Sequence, residues 1–153
     1  MSTLVPYVFD LTPANQILDR LDKNFALMSV TQAYGRLTGR TAAVASVCTY
    51  TPPSDGTFEI GFNLNITTST NFNFSANVTY KDETNTSQNV LLLYIGQGTS
   101  SLGNIFANVN GAVPYMGIPI SIRAKGTNAI TILTSGTFTT VTYNVEGWIR
   151  QIQ

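Results

Sequence analysis

The chain has 153 residues and a mass of 16.6 kDa, enough for one domain with a substantial core and too little for two. Only 10% of its residues are Asp, Glu, Lys or Arg, against about 25% in an ordinary soluble domain, and the formal net charge is zero. This balance excludes the basic footprint of a nucleic-acid binder, since only Arg123 and Lys125 fall close together in the body of the chain. It also leaves few defences against self-association, so much of the surface is expected to meet other protein.

The opening "MSTLVPYVFDLTP" has no basic start followed by a hydrophobic run, so no secretory signal is expected. In "DLTPANQILDRLDKNFALMS", Thr12 is placed as an N-cap, and Pro13 takes the first helical position, where a missing N–H costs nothing. Ile17 or Leu18, Leu21, Phe25 and Met28 then recur at helical spacing and form one apolar stripe. Asp19 and Lys23 pair at i, i+4 on the solvated side. A short N-terminal helical arm is therefore predicted over residues 1–40, ending in the glycines of "AYGRLTGR". Leu18, Leu21 and Phe25 are its candidate anchoring side chains. Such a stripe packs on the domain, on its own copies or on a larger host.

From Thr41 onward the apolar period changes from about 3.6 to 2. "TAAVASVCTYT" (41–51) reads as a strand and "PPSDG" as a turn. "TFEIGFNLNITT" (57–68) places Phe58, Ile60, Phe62, Leu64 and Ile66 on one face. "NFNFSANVTYK" (71–81) does the same with Phe72, Phe74, Ala76, Val78 and Tyr80. With only "TST" between them, this pair is expected to form a hairpin with one apolar and one polar side. "DETNTSQ" is a loop, and "NVLLLYIGQ" (89–97) reads as a strand buried on both faces. The Gly/Asn-rich stretch 98–117 allows one short strand around Ile105 to Val109. "IPISIRAK", "AITILTS" and "TVTYNVEGWIRQI" alternate again, the last with a bulge expected at Gly147. Seven or eight short strands between turn signals predict an all-β fold, an antiparallel jelly-roll-like β-sandwich over residues 41–153.

The residues offer little to catalysis. There is no histidine, so neither a neutral-pH acid–base group nor the commonest metal ligand is present. Glu59 and Glu146 lie in strands but nothing places them across a cleft, as glycoside hydrolysis requires. "KDETN" gathers Asp82, Glu83 and Asn85, whose oxygens suit a calcium ion, but a solvated hairpin loop is the preferred reading. No catalytic residue, metal site or cofactor is expected, and the protein is read as not an enzyme. Cys48 is the only cysteine, which excludes an intrachain disulfide, and its apolar setting suits a small packed hydrophobe. The N-x-S/T triplets at Asn65, Asn73, Asn77 and Asn85 are read as by-products of Asn/Thr-rich strands. The longest apolar run, "VLLLYI", is far short of the roughly 20 residues of a membrane-spanning helix, so no membrane partner is expected. For exposed contacts, Tyr115 and Met116 stand in the Gly-rich segment. In a regular strand Trp148 lies on the opposite parity from Val145 and Ile149, which makes it a candidate to face a partner, whereas Tyr143 and Tyr80 fall on core parity.

The carboxy-terminal third, "PYMGIPISIRAKGTNAITILTSGTFTTVTYNVEGWIRQI", resembles the end of small tailed-bacteriophage virion structural proteins. "RTAAVASVCTYTPPSDGTFEIGFNLNITTSTNFNFSANVTYKDETNTS" is similar to their earlier half, so the likeness covers roughly residues 40 to 152. "ANQILDRLDKNFALM" resembles, less specifically, the short helices that open phage fibre and attachment proteins. The resemblance implies a jelly-roll assembled as a homotrimer on the capsid or tail of a virion, as a decoration or fibre protein. Its partners would be its own copies and other virion proteins, such as major capsid or tail proteins, with no nucleic acid. It brings no catalytic motif. The alternative is a receptor- or carbohydrate-binding module of a phage tail, which should carry exposed aromatics in distal loops. "TPPSDG", "KDETNTSQ" and "KGTN" carry none.

Overall fold

A computed structural model of the protein describes residues 31–69, 72–96, 113–138 and 141–152, and among these residues all regular structure is β. Nine strands follow in order: β1 Thr31–Arg40, β2 Cys48–Tyr50, β3 Gly56–Ser69, β4 Phe72–Lys81 and β5 Ser87–Gly96, then β6 Val113–Met116, β7 Ile120–Ala124, β8 Ile130–Phe138 and β9 Val141–Gln151. They make two antiparallel sheets. Sheet A runs β1-β9-β3-β6, with β7 continuing the β6 edge along β3, and sheet B runs β2-β8-β4-β5.

The pairing has a simple logic. β4 pairs with β5, β3 with β6 and β7, β2 with β8, and β1 with β9. These are the rungs of one long hairpin whose tip is the loop from Asp82 to Thr86. Rolling that hairpin up adds the two remaining ladders, β3 with β9 and β4 with β8, at the centres of the sheets.

Period-2 sequence dictates which faces meet. Phe58, Ile60, Phe62, Leu64 and Ile66 of β3 are all buried, as are Phe74, Ala76 and Val78 of β4 and Val141, Tyr143, Val145 and Ile149 of β9. They form one core shared by both sheets, with Ile130 and Ile132 from β8 and Leu92, Leu93 and Ile95 from β5. Each large side chain taken fully from water contributes about 1.5–3 kcal/mol, so this alternation dominates the fold's stability. Aromatic rings bridge the layers: Phe74 lies 5.2 Å from Tyr143 in an edge-on contact, and Phe138 stacks on Tyr143 at 5.6 Å.

Several sequence expectations need correction. β3 and β4 do not form a hairpin with each other. They lie in opposite sheets, and their apolar faces meet across the core, with Phe62 and Phe74 ring centres 6.3 Å apart. Two alternating strands with a short link fit either a hairpin or a corner between sheets. Here β9 takes the place beside β3 along nearly its full length. Residues 31–40 belong to β1 and pair with β9, so the sheet takes in the end of the stretch assigned above to the arm. Its glycines hid the alternation. Gly35 faces inward where a Cβ would fall 1.8 Å from the Val47 carbonyl oxygen, so no side chain fits that position. Residues 1–30, including the predicted helix, lie outside the described residues, as does the strand predicted around 105–109.

Gly147 carries no bulge. It pairs regularly with Gly35 and Phe62, and above it lie Ile132 Cδ1 and Val47 Cγ1, 3.1 and 3.3 Å from where a Cβ would stand. The bulge occurs instead on β5. Its register shifts opposite Ala76 and Asn77, which leaves Leu92 and Leu93 both buried and turns Leu91 to the outer face. β5 is not buried on both faces: Asn89 is exposed and Leu91 and Tyr94 are half-buried on its outer side, and among the described residues it is an edge strand.

Candidate interaction surfaces

The outer face of sheet A is ionic and aromatic. Trp148 on β9 stands opposite Gly61 on β3 and Tyr34 on β1. Its indole lies over Gly61, where an added Cβ would meet Cζ2 at 1.9 Å and Cε2 at 2.0 Å. Only glycine leaves room for the ring to lie against the strand. Beside it Tyr34 is 58% exposed. Ion pairs flank this centre: Arg36 Nε lies 3.1 Å from Glu146 Oε1, and the Arg150 guanidinium donates to the Glu59 carboxylate. Both acids are therefore neutralised by arginines on adjacent strands, and they do not face each other across a cleft. Arg150 Nε and Asn63 Oδ1 are buried on this side with no hydrogen-bond partner among the described residues.

The outer face of sheet B is built from different chemistry. In its four strands Lys81, at the end of β4, is the only charged residue. Three cross-strand rows define the face. Leu133, Asn77 and Leu91 form the central row; Ser135, Ser75 and Tyr94 lie on one side of it, and Thr131, Thr79 and Asn89 on the other. Neighbouring hydroxyls bond one another: Ser75 Oγ to Ser135 Oγ at 2.7 Å, and Thr49 Oγ1 to Thr131 Oγ1 at 3.2 Å. The Asn77 amide donates to Ser135 Oγ at 3.4 Å. Leu133, Leu91 and Tyr94 are half-buried within this hydroxyl-and-amide lattice.

At one end of the sandwich three loops meet. The Asp55 carboxylate accepts from the Gly126 N–H at 2.8 Å and lies 3.6 Å from Lys125 Nζ; these contacts, the backbone bond first, hold its carboxyl below the usual range. Gly126 passes so close that a Cβ would fall 2.5 Å from the Ser54 backbone. Thr127 N–H donates to the Pro52 carbonyl, and Lys125 N–H to that of Lys81. Arg123 pairs with Glu83 at 2.7 Å over a shallow depression lined also by Asp55, Gly56 and Thr57.

The "KDETN" loop is an internally bonded turn. Asp82 Oδ1 accepts from the Thr84 hydroxyl and from the N–H groups of Thr84 and Thr86, and Oδ2 accepts from the Gln88 amide. Those donors, the Thr84 hydroxyl foremost, depress its pKa. Asn85 adopts φ 65°, a left-handed angle that asparagine tolerates. Among the described residues, no group of three or more His, Cys, Asp or Glu is arranged to hold a metal. Cys48 is buried, and burial alone pushes its thiol up to about 11, far from reactive.

Of the candidate contacts named from sequence, Trp148 is half-buried on the outer side of sheet A. Tyr115 and Met116 belong to β6, not to a loop, at register positions opposite Leu64 and Asn63. Leu18, Leu21 and Phe25 lie outside the described residues. Three surface residues had not been singled out. Tyr34 was hidden in the presumed arm. Leu91 and Leu133 stand on the polar parity of their strands, and a leucine there is the signal that would have found them.

No family model matches the chain, and no curated protein matches it. Among solved structures, a chain from the "Structure of infectious bursal disease virus Gx strain" aligns at 12% identity with a TM-score of 0.26. The match covers 81% of this chain and 40% of that one, so this chain spans well under half of its length. That score is too low for the likeness to bear on fold or function.

Proposed function

We propose that the chain is a non-enzymatic structural protein of a tailed-bacteriophage virion, a homotrimeric decoration or fibre protein attached to capsid or tail through its N-terminal arm. The observation that carries this reading is the strand order. Counting β6 and β7 as two halves of one strand gives eight strands, ordered 1-8-3-6 in one sheet and 2-7-4-5 in the other. This is a hairpin rolled twice, the jelly-roll arrangement recurrent in viral capsid domains. Composition supports the same reading: a chain with only 10% charged residues gains solubility when neighbours cover it. Among the described residues, the strand carboxylates Glu59 and Glu146 are each paired with an arginine, which supports a non-catalytic reading.

The arm role is tested on the full chain. Replacing Leu18, Leu21 and Phe25 together with serine is expected to leave the β-type circular dichroism intact and to abolish co-sedimentation with phage particles. A variant that co-sediments like the parent contradicts the anchoring role. Truncation should stop at residue 30, because removing residues 31–40 would also strip β1 from sheet A.

One observation favours the alternative, a carbohydrate-binding module of a phage tail. Trp148 lies against Gly61 beside the exposed Tyr34, a surface on which a sugar ring stacks. Trp148 is the only tryptophan, so quenching of intrinsic fluorescence by added host glycans, lost in Tyr34→Ala, would support that reading.

A further inference from the structure

We infer that the outer face of sheet B is the surface through which copies of this chain contact one another. The inference rests on the homotrimer proposed above and names its interface. The two outer faces differ in kind. Sheet A carries Arg36, Glu59, Arg123, Glu146 and Arg150, whereas sheet B carries only Lys81, at a strand end. Protein interfaces are depleted in charge at their centres, with an apolar middle and a polar rim. Sheet B matches that anatomy. Leu133 and Leu91 flank Asn77 in the central row, Tyr94 lies one row away, and Ser, Thr and Asn surround them.

The occupant follows from the chemistry of the groups. A hydroxyl or carboxamide carries both donor and acceptor, so identical side chains on two copies can bond each other, whereas an ammonium or carboxylate repels its own kind. A face made of Ser, Thr, Asn, Leu and Tyr is thus complementary to itself. Its area is also of the right order: three strands about 30 Å long and the three-residue β2 about 10 Å long, spaced about 4.8 Å apart, give roughly 500 Å² before side-chain relief, against about 800 Å² per partner in a standard interface. Among the described residues β5 is the edge strand that borders this face. Turned toward a threefold axis, the face is shared between both neighbours.

The test introduces a charge on each face in turn and reads mass by light scattering at micromolar concentration, with circular dichroism as the check on folding. Leu133→Lys and, independently, the exposed Asn89→Lys should shift the assembly midpoint at least tenfold to higher concentration while keeping the β spectrum. Asn65→Lys, exposed on sheet A, should assemble like the parent. If both sheet-B variants assemble normally, or if Asn65→Lys alone dissociates, the face assignment is overturned and the trimer stands. A parent chain that is monomeric before any substitution overturns the trimer itself. Should Leu133→Lys fail to fold, Asn89→Lys decides between the same outcomes.

Discussion

Tyr143 sits at the centre of the core with no exposed surface, yet its hydroxyl must find partners there. It donates to the Ala42 carbonyl at 2.7 Å and lies 3.1 Å from Thr134 Oγ1, which in turn accepts from the Val44 N–H. One phenol thereby ties the β1–β2 connection to both sheets. Burial raises its pKa, so its contribution is complete below the unfolded tyrosine value of about 10 and is lost as pH rises through the folded one. Tyr143→Phe removes the hydrogen bond to the carbonyl of the exposed Ala42 and should cost about 0.5–1.5 kcal/mol, read as a lower urea midpoint at fixed protein concentration. Gly61→Ala should displace the only indole from its seat, shifting fluorescence to longer wavelength; unchanged emission would mean that the ring does not lie there. Asp82 behaves oppositely to Tyr143. Its folded pKa is depressed, so its contribution is present above about pH 4 and lost as pH falls through the folded value. Thermal scans should show Asp82→Asn with less acid sensitivity than the parent.

Among the elements, strands were legible wherever side chains alternated cleanly. β3, β4, β7, β8 and β9 appear where Phe58–Ile66, Phe74–Val78, Ile120–Ala124, Ile130–Thr134 and Val141–Ile149 alternate. Partner choice was not legible, because alternation says which face is buried and nothing about which strand lies alongside. That is why β3 and β4 read as a hairpin and prove to face each other across the core. β1 was missed because Gly35 and Gly39 interrupt its pattern, and Leu91 because the bulge beside it on β5 decides which side it takes. Of the interaction surfaces, Trp148 was readable from parity, whereas its neighbour Tyr34 required the β1–β9 register. Gly147 shows the same limit. It marks the close approach of the two sheets, so Gly147→Val should force Ile132 and Val47 outward and cost about 1–3 kcal/mol by overpacking. A stability equal to the parent's would mean that the sheets are further apart than the packing indicates.

For the whole molecule, the rolled hairpin sorts the chemistry. Each strand buries its apolar side in one core and sends the alternate residues outward, so the two outer faces inherit whatever the second parity contains. On sheet A that parity includes paired ions and aromatics. On sheet B it holds neutral hydroxyls and amides around two leucines. Surface ion pairs such as Arg36–Glu146 add little stability, about 0–1 kcal/mol, so the ionic face needs no partner to be soluble. The neutral face has no comparable defence. Sedimentation equilibrium of the full chain over a range of micromolar concentrations measures this most directly. A mass of three times 16.6 kDa is the predicted result; a single 16.6 kDa species at every concentration would contradict the assembly on which the functional reading depends.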